Sequence, residues 1–231
     1  MANTENTNQA DGLQTVESAF GKAEQYIEKN RNTLGIIIIA VVAVVVAVLV
    51  YNKFIKIPKE NKAAAEMYQA ENNFERDSFK LALNGDANYP GFLGIMKDYS
   101  GTKAANLAHY YAGVCYLNLG EYDNAIAQLK DFSTDDISLL PISTGLIGDA
   151  YMEKNDVEKA IAQYKKAAKE GQQNNFVAPI YLMKLGRAYE KQQKWQQAID
   201  TYNEIKKNYP NSNEGRSIEK YITAANLKLA K

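Results

Sequence analysis

The chain has 231 residues and carries 27 basic and 27 acidic side chains, so its formal net charge is zero. Nucleic-acid binding needs a basic face that displaces counterions from phosphates, and this balance gives no support for such a partner. The single cysteine, Cys115, excludes an intrachain disulfide framework and a thiolate zinc cage. The length suits one domain of moderate size together with a short additional segment.

Residues 1–33 form a leader that contains apolar residues at steps of three and four. Such spacing places side chains on one face of a helix and predicts a short amphipathic helix. The residues of this stripe are Leu13, Val16, Phe20, Ala23 and Ile27. Two interpretations stay open: a helix that lies on a membrane or pairs with a partner helix, or a marginal helix that only leads into the next segment.

Residues 34–51 predict a transmembrane helix. The run LGIIIIAVVAVVVAVLVY contains no charged residue, and a helix of this length spans about 27 Å, close to one hydrocarbon core. The alternative is a cleaved signal peptide, which has a shorter apolar core and ends in small residues spaced A-x-A. Ala40, Ala43 and Ala47 never have that spacing, so the pattern favours an uncleaved anchor.

The membrane orientation does not follow from charge. Lys22, Lys29 and Arg31 precede the apolar run, and a similar number of lysines follows it. Long domains also cross membranes largely regardless of such counts. The aromatic and basic residues of segment 51–56 are typical of a membrane interface.

Three segments of the remaining chain repeat one pattern. Glycines recur at Gly113, Gly148 and Gly186, and each is followed by tyrosine three residues later. Alanine comes nine residues after each tyrosine, and an aromatic residue or leucine follows four residues after that alanine. This pattern resembles the tetratricopeptide repeat (TPR), a helix-turn-helix of about 34 residues. The resemblance implies an all-α solenoid with three repeats over residues 106–208.

The sequence departs from the family pattern in two places. The usual tryptophan position of the first helix holds His109, Thr144 and Leu182, and the closing proline occurs only as Pro210. A mid-helix glycine costs about 1 kcal/mol relative to alanine, which is tolerable where two helices approach closely. The alanines at the second-helix positions are therefore predicted to be the small partners of the glycines: Ala125, Ala160 and Ala198.

The flanks of the repeats are predicted to be helical as well. Lys62 to Leu83 reads as one long helix with Pro90 to Tyr99 as its partner, and residues 52–105 are interpreted as a linker helix and a degenerate first repeat. Residues 209–231 carry an apolar stripe with a charged back, which is typical of a capping helix. Asp156 is a predicted N-cap and Gly171 a predicted helix stop.

No catalytic constellation emerges, so the chain is predicted not to be an enzyme and to need no cofactor or metal. His109 lies at a repeat-core position and is interpreted as a packing residue. Cys115 is interpreted as a small apolar filler. Asp135 and Asp136 lack further oxygen ligands at calcium-loop spacing, which favours a solvated turn.

The TPR resemblance implies that the first helices of successive repeats line a concave groove that holds peptides or partner segments. At these positions the sequence has Tyr110, Val114, Leu117, Gly145, Asp149, Met152, Met183, Arg187 and Glu190. Chaperone-docking members of the family carry a lysine and asparagine clamp for a terminal carboxylate at such positions. This sequence has Tyr110, Gly145 and Met183 where that clamp would begin, so a clamp is not expected. Methionines favour adaptable apolar contact. The alternative is that these side chains simply contact the capping helix.

The order of leader, anchor and repeats resembles the family of ancillary subunits of the bacterial SecYEG translocon. That resemblance implies an inner-membrane protein with a cytoplasmic leader and periplasmic repeats that meet the translocon, chaperones or unfolded polypeptide. An alternative is an assembly factor for an envelope complex, such as outer-membrane protein insertion or cell division. Expected partners are proteins and the lipid bilayer, without nucleic acid or a small-molecule substrate.

Overall fold

The computed structural model describes the backbone of residues 5–230 and the side chains of residues 24–230. Across this range every regular element is a helix, apart from an isolated bridge between Gly85 and Pro90, which confirms the all-α prediction. The chain divides into two units, residues 1–58 and 59–231. The helices are α1 (Glu5–Tyr51), α2 (Ile57–Glu75), α3 (Phe79–Asn84), α4 (Phe92–Asp98), α5 (Lys103–Asn118), α6 (Tyr122–Asp131), α7 (Leu139–Glu153), α8 (Val157–Glu170), α9 (Val177–Lys191), α10 (Trp195–Asn208) and α11 (Asn213–Leu229).

The first unit consists of α1 and a π-helical turn at Asn52–Lys56. The helical segment Glu24–Glu75 contains a stretch long and apolar enough to cross a membrane by length and composition. The side chains of residues 36–51 are exposed. Of the predicted leader stripe, Leu13, Val16, Phe20 and Ala23 lie outside the described side chains.

The second unit contains a helix break, after α2, that the sequence did not predict. The single long helix expected from Lys62 to Leu83 is wrong, because α2 ends at Glu75 and α3 starts at Phe79. Asp77 adopts a positive φ of 55°, and the amide of Ser78 donates to the carbonyl of Asn73 at 2.9 Å. The reversal brings the rings of Phe74 and Phe79 to 5.7 Å, edge to face. Edge-to-face aromatic packing favours this arrangement.

Three helical hairpins follow, formed by α5 with α6, α7 with α8, and α9 with α10. The turn inside each hairpin places one residue at positive φ: Gly120 at 77°, Asn155 at 59° and Gln193 at 58°. Neighbouring hairpins also pack on each other, since α6 contacts α7 and α8 contacts α9. Consecutive antiparallel pairs stacked in this way form the predicted helical solenoid.

The helix ends agree with the sequence reading. The Asp156 side chain accepts from the amide of Lys159, and Gly171 follows the last residue of α8. Pro141 and Pro179 both lie in the first turn of a helix. Proline is tolerated there because an amide hydrogen in the first turn has no acceptor within the helix.

Large side chains, more than the predicted alanine partners, occupy the space beside the repeat glycines. Of the alanines, Ala125 places its backbone carbonyl 3.4 Å from a Cβ added at Gly113. A Cβ added at Gly148 would lie 2.6 Å from Cε1 of Tyr164, and one at Gly113 would lie 2.5 Å from Cγ of Leu129. At Gly186 the obstructing atoms belong to the ring of Tyr202. The glycines thus accommodate the large side chain one turn beyond each alanine, and the alanines themselves are fully buried.

Helix α11 closes the stack by packing on α10 and α9. Its apolar stripe, Ile218, Ile222 and Ala225, is buried. The Ser212 side chain caps the helix, since its Oγ accepts from the amide of Gly215 at 2.9 Å.

Replacing Ser212 with alanine is expected to destabilise α11 by about 1 kcal/mol, because one amide of the first turn loses its acceptor. Hydrogen exchange of the α11 amides should accelerate roughly five-fold, which corresponds to that energy at 25 °C. Ser212→Asp, which keeps an acceptor and adds a favourable charge at the helix start, is the matched control and should exchange like the wild type. Equal exchange in the alanine variant would contradict a capping role.

Candidate partner-binding groove

The predicted groove residues of the second and third hairpins lie around a shared cavity. Asp149 and Met152 on α7 and Arg187 on α9 line a space of about 370 Å³, together with Glu153, Tyr164 and Lys184. Met152 also packs against the buried core. The first helices of two successive hairpins therefore present part of the expected surface together.

Three of the side chains that line this cavity form a polar network: Asp149, Tyr164 and Lys184. The Lys184 ammonium lies 2.8 and 2.7 Å from the two carboxylate oxygens of Asp149. The Tyr164 hydroxyl donates to Oδ1 of Asp149 at 2.7 Å, and Lys184 also lies over the rings of Tyr164 and Tyr181 at 5.9 and 5.7 Å. Burial, followed by the charge of Asp149, raises the pKa of Tyr164 well above its usual range. The hydroxyl therefore stays a donor at physiological pH.

A second cavity, of about 300 Å³, lies between α9 and α11. Met183 and Arg187 line it from α9, and Ser217 and Tyr221 line it from α11. The Arg187 guanidinium lies 5.4 Å from the centre of the Tyr221 ring, and its Nη2 donates to the Tyr221 hydroxyl at 3.0 Å. This hydrogen bond holds the pKa of Tyr221 below its usual value. Arg187 thus contacts the capping helix, as the alternative interpretation of the groove expected.

The remaining predicted groove residues lie outside both cavities. Tyr110 packs its ring 5.5 Å from that of Phe132, and Leu117 packs against a cluster that includes Ile126. Val114 is half-buried on α5. Glu190 is half-buried near the end of α9, where burial raises its pKa. Gly145 is fully enclosed, because the Tyr181 ring occupies the space that a side chain there would need.

The contacts at these cavities also involve side chains that the repeat pattern did not predict as groove residues: Lys184, Tyr164 and Tyr221. Lys184 follows the predicted Met183 directly. Gly148 and Gly186 are 38 residues apart, so the residue equivalent to Asp149 in the next repeat is Arg187. The repeat spacing therefore carried no signal for Lys184.

Another cavity, of about 400 Å³, lies between α8 and α10, and residues of α9 also line it. Lys165 and Lys169 line it from α8, and Asp200 and Glu204 line it from α10. None of its residues is among the predicted groove positions.

The residues with potential chemistry have structural surroundings. The Nδ1 atom of His109 lies 2.8 Å from Oε1 of Gln128. Asp136 organises the start of α7, since its Oδ1 accepts from the amides of Ser138 and Leu139 at 2.8 Å each. The bond from Leu139 is the main reason that the pKa of Asp136 is lowered. Among the described residues no cluster of His, Cys, Asp and Glu could hold a metal ion.

Cys115 is expected to be inert to thiol reagents in the folded protein. Its side chain is fully buried, and burial raises its pKa from 9.0 to about 12. The raised pKa favours the folded state below pH 9, and this contribution is lost as pH rises towards 12. At pH 8 the thiol should react with a disulfide reagent only after denaturation, because the thiolate is the nucleophile. Rapid labelling of the native protein would contradict this burial.

Helical hairpins that stack one on the next define a solenoid of helical repeats. The tetratricopeptide-repeat family model matches residues 107–135 and 181–212, the first and third hairpins. The structure is also similar to a crystal structure of the nearly identical TPR-like repeats of a kinesin light chain from Podosopora anserina. That match has a TM-score of 0.53 at 12% identity and covers 74% of this chain and 88% of the other. No curated protein matches the chain significantly. The repeats are therefore of the tetratricopeptide type, a fold that typically serves as a non-catalytic protein-interaction scaffold.

Proposed function

We propose that this protein is a membrane-tethered scaffold whose concave surface holds a segment of a partner protein. The observation that carries the proposal is the cavity between α7 and α9 and its neighbour between α9 and α11, which include positions that the TPR resemblance assigns to partner binding. The apolar stretch of α1 supports the tether, since it is long enough to span a bilayer.

The chemistry of the cavities favours a partner segment with small or apolar side chains. Asp149 and Lys184 neutralise each other within the surface, and Arg187 is engaged by Tyr221. Met152, which is half-buried, offers flexible apolar surface in the first cavity instead, which suits segments of varied sequence.

The more specific proposal is an inner-membrane protein with its leader in the cytoplasm and its repeats in the periplasm, where it assists translocon-linked export or chaperoning. The arrangement of leader, apolar helix and repeats supports this proposal. Protease added to bacterial spheroplasts that express the chain should digest the repeats. Full protection of the repeats would place them in the cytoplasm and reject this topology.

A photo-crosslinking amino acid placed at Met152 in the full chain tests the groove. We expect crosslinks to the SecYEG channel, a chaperone or an exported polypeptide. The control is the same amino acid at Asn203, an exposed residue of α10 outside both cavities. Crosslinks from Asn203 but none from Met152 would reject the groove. Crosslinks from Met152 to envelope-assembly machinery would favour the assembly-factor alternative.

A further inference from the structure

Two large apolar side chains of the repeat unit stand exposed at the starts of helices. The Phe176 side chain is 84% exposed and that of Ile137 is 64% exposed. Both lie on loops that are fixed by hydrogen bonds. Asn174 Oδ1 accepts from the amides of Phe176 and Val177 at 3.0 and 3.1 Å, and Asp136 caps the start of α7 in the same manner. Hydrogen bonds therefore hold the backbone in the conformation that exposes these two side chains.

The two loops belong to one continuous edge. The side-chain amide of Asn174 donates to Oγ of Ser138 at 2.9 Å, which joins the loop before α9 to the loop before α7. The loop before α7 is joined in turn to α5, since the Asn106 side chain donates to the Ser133 carbonyl at 2.8 Å and accepts from the Ser133 amide at 3.1 Å. We call this series of loops, residues 100–103, 133–138 and 171–176, the loop edge.

The chain enters the repeat unit at the same loop edge. Lys59 Nζ donates to the Ser100 carbonyl at 2.8 Å. Glu60 accepts from the amides of Lys103 and Ala104 at 3.0 and 3.2 Å, and so caps the start of α5. The first residues of the unit are thereby tied to the edge that carries Ile137 and Phe176.

The covalent chain limits how far this edge can lie from a bilayer. The apolar run ends at Tyr51, and only seven residues separate it from Lys59. Even fully extended, that connection spans at most about 28 Å. The opposite edge is displaced by the length of a hairpin helix, and the 15 residues of α9 amount to about 22 Å.

We propose that the loop edge rests on the lipid surface, with Phe176 and Ile137 inserted at the level of the headgroups. The proposal depends on the membrane tether proposed above. Aromatic and aliphatic side chains on a fixed loop suit the interface, where an apolar body gains from leaving water. Asp135 and Asp136 adjoin Ile137, so apolar contact rather than attraction to anionic lipid favours the docking. This arrangement would leave the concave cavities open to partners close to the membrane.

The position of the single tryptophan makes a direct test possible. Trp195 begins α10 at the far end of α9 from Phe176. The full chain is reconstituted into phosphatidylcholine vesicles with and without brominated lipid, which quenches nearby indoles. Two proteins are compared: the wild type, which reports on the far edge, and a Phe176→Trp variant in a Trp195→Phe background. We expect the tryptophan at 176 to lose at least half of its emission and Trp195 to lose almost none.

The outcomes separate this proposal from the tether. If the chain does not float with the vesicles, the tether and the docking both fail. If it floats and the tryptophan at 176 is unquenched, the docking is overturned while the tether stands. Equal quenching at both sites also overturns it, because the repeat unit would then lie along the membrane instead of resting on one edge. Far-UV circular dichroism that matches the wild type shows that the variant is folded.

Discussion

Replacing Gly186 with valine is expected to destabilise the repeat unit by about 2–3 kcal/mol, within the usual range for overpacking. A side chain at this position meets the ring of Tyr202, which is fully buried and cannot move into solvent. Helix propensity alone predicts the opposite sign, since glycine is the less favourable residue inside a helix. A loss of stability would therefore show that α9 and α10 lie too close together to accept a side chain at residue 186. A gain would show that helix propensity dominates.

Urea unfolding of the full chain in detergent, followed by Trp195 fluorescence, measures this loss. Trp195 is the only tryptophan and begins the helix that carries Tyr202. The control is Ala162→Val, at an exposed position of α8, which should cost about 0.6 kcal/mol or less. A Gly186→Val midpoint equal to or above that of the wild type would refute the contact.

Deletion of residues 34–51 is expected to move the chain from the membrane fraction into the soluble fraction. The deleted segment contains 13 valine, isoleucine and leucine residues, which together favour insertion by about 4–8 kcal/mol. Sodium carbonate extraction of membranes from expressing cells provides the measurement. The wild-type chain should stay in the pellet, and the deletion variant should appear in the supernatant.

A variant with the same 18 residues in rearranged order is the matched control. It should remain in the pellet, because insertion depends on summed hydrophobicity more than on the order of residues. Release of the wild-type chain by carbonate would contradict the anchor. The mass of the mature chain decides between an anchor and a signal peptide, because cleavage would remove the leader and the apolar run.

The groove was predictable in outline and not in its contacts. The repeat spacing placed Asp149, Met152 and Arg187 on first helices, and these three side chains do share a cavity. Spacing within one helix could not show that Lys184 pairs with Asp149, because that contact joins two hairpins. Nor could it show that Tyr221 covers Arg187, since the position of α11 depends on how it packs against α9 and α10.

The repeat pattern in the sequence was enough to establish the class of fold. Glycine, tyrosine and alanine at constant spacing specify which side of each helix is buried, and this information is local. Which side chains fill the space at each glycine depends on how the helices pack against each other. Ala160 and Tyr164 lie one turn apart on the same face of α8, so helical periodicity cannot distinguish them, whereas the separation between packed helices can. The break before Phe79 has a similar origin, because the neighbouring Phe74 packs against Phe92 and Tyr111, which lie on other helices.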